Sequence, residues 1–106
     1  MWLICQDVFL SITQDRNYPD RLFVRGRMKG DIERCFPHAL VRENEGVDYL
    51  YRASILREQV VDVIRDMVTD IDYPSFKGSL TDNRRQPFYM DVWHTLKEMQ
   101  DAYGDA

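Results

Sequence analysis

The sequence predicts an α+β fold: a four-stranded antiparallel sheet in ββαββα order with a C-terminal helix, as one domain over 1–106. Three observations lead there. Apolar and polar residues alternate over 8–14, 21–28, 39–44 and 48–55, the period of a strand with one buried face. These segments flank two short connections, "DRNYPD" and "EG", whose Asn, Pro, Asp and Gly suit turns, so each pair reads as a hairpin. Segment 57–71 instead repeats its apolar residues at steps of three and four, the period of a helix.

The opening "MWLICQDVFLSI" has no basic leader and no cleavage site, and Asp7 interrupts its apolar run, so it reads as strand and not as a signal peptide. "KGDIERCF" (29–36) between the hairpins predicts a short helix stopped by Pro37. In the long helix, Val60, Val61, Val63, Ile64, Met67, Val68 and Ile71 form the apolar face, and Pro74 ends it. Leu56 precedes Arg57 where a capping Ser or Thr is expected, which leaves the helix start open by a residue or two. "DYPSFKGSLTDNRRQ" (72–86) reads as an ordered loop whose Tyr73, Phe76 and Leu80 fold back onto the core. The last helix runs from about Pro87, suited to a first turn, to Ala102, with Phe88, Tyr89, Val92, Trp93, Leu96, Met99 and Tyr103 as its expected buried stripe. A weak internal match at an offset of 27 lays "FVRGRM" over "LYRASI", in keeping with a single sheet.

Composition narrows the class. A chain of 106 residues, 44% hydrophobic and 12% aromatic, is long enough for one core without staples and is not of disordered type. No apolar run approaches the roughly 20 residues a membrane span needs. Cys5 and Cys35 have no metal or redox spacing and read as reduced, packed thiols of a cytoplasmic protein. The net charge of −4 arises in the second half, since residues 1–56 hold eight Lys/Arg against eight Asp/Glu and residues 57–106 hold six against ten. That balance disfavours generic nucleic-acid binding.

Two charge patterns carry the functional reading. Alternation puts Arg25, Arg27, Arg52 and Phe23 on one sheet face, a layout that RNA-binding sheets use. Glu43, Glu45 and Asp48 in the neighbouring hairpin offer these arginines ordinary cross-strand pairing, which is the expected arrangement. On the helix 57–71, Glu58, Asp62, Asp66 and Asp70 recur every fourth residue and Asp72 follows, with Arg65 alone placed to relieve them. Asp91, His94 and Glu98 share a side of the last helix but lack the supporting ligands of a metal site, and read as a surface histidine beside two carboxylates. His38 is isolated, and no glycine-rich phosphate loop, nucleophile elbow or paired Cys/His arrangement occurs. No catalytic residue, metal ligand or cofactor is therefore assigned.

The strings "DIDYPSFK" and "MDVWHTL", within a pattern spanning nearly the whole chain, resemble a family of small bacterial and phage proteins with no assigned activity. The resemblance implies a compact cytosolic α+β domain and carries no catalytic residues. The leading expectation is a non-enzymatic protein-binding module. It would be a phage or prophage accessory factor that inhibits a host nuclease or CRISPR-type defence complex by presenting Glu58, Asp62, Asp66, Asp70 and Asp72 to a basic surface. The alternatives are a nucleic-acid-binding regulator using Arg25, Arg27 and Arg52, and a small hydrolase or metal enzyme. Exposed strand edges also admit a homodimer.

Overall fold

A computed structural model describes residues 1–104; the last two residues of the expected 1–106 domain lie outside the described residues. The α+β class and the antiparallel sheet are present, but the sheet has five strands. In chain order the elements are β1 (Trp2–Ile4), β2 (Phe9–Gln14), β3 (Arg21–Gly26), α1 (Asp31–Cys35), β4 (Arg42–Glu43), β5 (Tyr51–Leu56), α2 (Arg57–Thr69), α3 (Phe76–Ser79) and α4 (Gln86–Tyr103). The ββαββα order is thus corrected by an extra strand at the start and a one-turn helix, α3, within the expected loop.

The extra strand has a simple cause. Residues 1–4 fold back over the turn closed by the Cys5 N–H on the Val8 carbonyl, at 2.8 Å. Trp2, Leu3 and Ile4 then pair with Ser11, Leu10 and Phe9. The Met1 ammonium adds a 2.8 Å bond to the Ile12 carbonyl. The opening segment, read as strand, breaks between Ile4 and Phe9 into two, at a turn without Gly or Pro to announce it. The expected strand 39–44 shrinks to Arg42–Glu43 at the opposite edge. Spatial order is β1-β2-β3-β5-β4, every neighbour antiparallel, so both predicted hairpins form and β3 joins β5 at the centre. The short edge strands leave few backbone groups open to a further strand.

The chain falls into two compact units, Met1–Asp72 and Tyr73–Ala106. In the first, Leu10, Ile12, Val24, Ala53 and Ile55 alternate onto one sheet face and form a core with Ile32, Cys35 and Phe36 around α1 and Val60 from α2. That face is the helix-covered one. α2 starts at Arg57 with Leu56 at its cap position and no side-chain cap; the Arg57 N–H instead donates to the Asp20 carbonyl at 2.9 Å. In the second unit, Ser75 caps α3 by accepting the Gly78 N–H at 3.1 Å. Phe76 packs edge-on to Tyr73 and stacks with Tyr89 at 6.0 Å, at the start of α4. The stripe expected to be buried on α4 is exposed at Phe88, Val92, Trp93, Leu96, Met99 and Tyr103. Periodicity identifies an apolar side of a helix, not what covers it.

Candidate functional site

Charged side chains gather on two sides of the first unit. On α2, Val60, Val63, Ile64 and Met67 turn toward the core. Glu58, Asp62, Asp66 and Asp70 are left exposed, followed by exposed Asp72. Four residues rise about 6 Å and overshoot one turn by about 40°, so these carboxylates climb the helix as a slowly winding ridge. Arg65 pairs with Asp62. Among the described residues Glu58, Asp66, Asp70 and Asp72 form no ion pair. Like charges at this step destabilise a helix by roughly 0.2–0.5 kcal/mol per pair. α2 also lacks a basic residue in its last turn, where a cation would meet the negative end of the dipole.

The sheet face opposite α1 and α2 holds the arginines. Arg27, at one end, donates to Asp48 Oδ1 at 2.9 Å and to the Asp48 carbonyl at 3.0 Å. That hydrogen bond, with the charges of Arg27 and Arg25, keeps the Asp48 carboxyl below its usual range. Arg21, at the other end, donates from Nε to Ser54 Oγ at 2.9 Å and from Nη2 to the Ser54 carbonyl at 2.8 Å. The Ser54 hydroxyl in turn donates to Asp15 at 2.6 Å. This bond, aided by the Asn17 N–H, holds Asp15 low as well. Both ends of the face are thus satisfied.

Its centre is not. Arg25 donates to Ser11 Oγ at 3.2 Å and Arg52 to the Tyr49 carbonyl at 3.0 Å. Among the described residues neither forms an ion pair, and the Nε–H of each is buried without an acceptor in the protein. Aromatic rings hold them instead: the Arg25 guanidinium lies 4.7 Å from Tyr49 and 5.6 Å from Phe23, and Arg52 lies 5.5 Å from Phe23. Such contacts contribute about 0.5–2 kcal/mol each. Register sets Arg52 directly opposite both Arg25 and Arg42. Directly opposed like charges destabilise a sheet, so this row carries an uncompensated cost.

Own-carboxylate pairing, the expected arrangement, therefore holds for Arg27 and fails for Arg25 and Arg52. Glu43 stands opposite Tyr51, in the alternate register to Arg42 and Arg52, and points to the other side of the sheet. Three residues of this face escaped the sequence reading. Strict alternation through 48–55 would send Tyr49 to the other side from Arg52, but β5 begins only at Tyr51, and the Tyr49 ring lies beneath Arg25 and Arg27. Trp2 and Arg42 join through cross-strand register, for which no local signal exists. Asp91, His94 and Glu98 are exposed along α4, with the His94 ring edge-on to Trp93 at 5.0 Å. No group of three or more His, Cys, Asp or Glu among the described residues is placed to hold a metal ion. No helix among them is long and apolar enough to cross a membrane. No protein-family model, curated protein or solved structure matches the chain.

Proposed function

We propose that this chain is a non-enzymatic protein-binding module, a phage or prophage accessory factor whose acidic ridge along α2 occupies a basic surface on its partner. The observation that carries the reading is the exposed row of Glu58 and Asp66 on α2, Asp70 at its C-cap and Asp72 just beyond, none of which forms an ion pair among the described residues. A row of like charge that costs stability within the chain is relieved when cations face it from outside. The class of partner it fits is a protein with a groove built for phosphates, such as a nuclease or a nucleic-acid-guided defence complex, which occupation of the groove would inhibit. The cytoplasm is where such a partner works, and where the free thiols of Cys5 and Cys35 stay reduced.

The test compares affinity capture from a bacterial lysate by the tagged protein and by the double variant Asp62→Lys/Asp66→Lys, with a thermal melt confirming that both are folded. Charge reversal is expected to remove the ridge-dependent partner, and raising salt from about 0.1 to about 0.5 M to elute it from the wild type. An unchanged partner set overturns the reading.

A further inference from the structure

The register of the sheet lines up five side chains on its face opposite α1 and α2. Trp2 stands opposite Ser11, Ser11 opposite Arg25, Arg25 opposite Arg52, and Arg52 opposite Arg42. At about 4.8 Å per strand the row is about 19 Å long. It has one aromatic end and three arginines that form no ion pair among the described residues. We infer that this row is a binding platform for single-stranded nucleic acid, independent of the ridge on α2.

The chemistry of the row selects the occupant. The Arg25 guanidinium is held over Phe23 and Tyr49 and that of Arg52 over Phe23, so their charge is presented in a fixed position that favours extended phosphates. Trp2 is 68% exposed and makes a T-shaped contact with Phe9 at 87°, which steadies an indole exposed enough to stack on a base. An acidic peptide would use the arginines but has no need of that ring. A duplex offers no unstacked base to it. The chain's acidity does not oppose the assignment. Residues 1–56, which build the platform, are neutral in sum. The carboxylates of α2 lie on the helix side of the sheet, away from the row.

The experiment titrates fluorescein-labelled oligonucleotides of about 12 residues, RNA and DNA, single-stranded and duplex, with a polyglutamate peptide as the acidic control, at about 50 mM salt. Single strands are expected to bind more tightly than duplex or peptide. Three phosphate contacts give a slope of log affinity against log salt of about −2. Trp2→Ala and Arg42→Glu, both at exposed positions, are each expected to weaken binding by about ten-fold. In the wild-type protein the Trp2 indole N–H and the Arg25 and Arg52 Nε–H resonances should shift on addition of the oligonucleotide, a readout that needs no variant. No binding at low salt, equal binding of peptide or duplex, or shifts that fall elsewhere each overturn the platform. Asp62→Lys/Asp66→Lys should leave the oligonucleotide shifts on the platform, so that failure of the ridge and failure of the platform are told apart.

Discussion

Asp31 has no surface role, yet it ties α1 to the sheet. It is fully buried, and its carboxylate accepts the Phe9 N–H at 3.0 Å and an Arg34 N–H at 2.9 Å. Asp31→Ala would orphan the Phe9 N–H and leave Arg34 without this partner, and should cost about 2–4 kcal/mol in a urea titration. Asp31→Asn, which keeps an acceptor, should cost less. A loss below about 0.5 kcal/mol for the alanine variant would show that apolar packing alone anchors α1. A second residue-scale effect is acid sensitivity. Asp15 is held below the usual carboxylate range first by the Ser54 hydroxyl, Asp48 first by Arg27, and Asp82 by the Arg84 and Arg85 N–H groups. Each therefore binds its proton less readily folded than unfolded. Their contribution is complete above the unfolded value of about 3.9 and is lost as pH falls through the lower folded values. Thermal midpoints should drop on acidification below about pH 4, and Asp15→Asn should flatten that limb. Cys35 moves the other way: burial first, then the neighbouring Cys5, Asp7 and Asp31, push its thiol up to about 12, so it stays protonated at neutral pH.

Among the elements, α2 shows a conflict between stability and surface. Of its expected apolar face Val60, Val63, Ile64 and Met67 turn inward while Val61, Val68 and Ile71 are exposed, and its outer stripe ignores the dipole at the C-terminal end. Asp70→Lys should therefore stabilise the protein by about 0.3–1 kcal/mol at low salt, and the same change should weaken the partner capture proposed for the ridge. A destabilised Asp70→Lys variant would show that this carboxylate is compensated within the chain. α1 is short because its entry needs a left-handed residue, Gly30 at φ 94°, and Phe36 ends it before Pro37. β1 and β4 show the limit of alternation at sheet edges, since their three and two residues are ordered by pairing with β2 and β5.

At the scale of the molecule, every residue of the buried core cluster lies between Val8 and Val60, within the unit Met1–Asp72. A chain cut after Asp72 should therefore fold alone, unfold cooperatively and keep both the acidic ridge and the arginine row. Far-UV circular dichroism with a denaturant titration checks this, and a non-cooperative transition would show that residues 73–104 complete the core. The arrangement within this unit also explains how an acidic chain can carry a basic face. A sheet has two sides, and the core with its helices takes one of them.

Local pattern determined the α+β class, both hairpins, the inward Val60, Val63, Ile64 and Met67 of α2 and the spacing of its carboxylates, because each depends on residues within a few positions of one another. Tertiary structure alone decided the folding back of β1 on β2, the burial of Asp31, the ring of Tyr49 beneath Arg25 and Arg27, and the alignment of Trp2 with Arg25, Arg52 and Arg42. Those features arise from register between strands as many as 40 residues apart, such as Trp2 and Arg42. Pairing sets that register, and one-residue slips in it reverse every side chain, so no local run of sequence encodes which residues end up side by side.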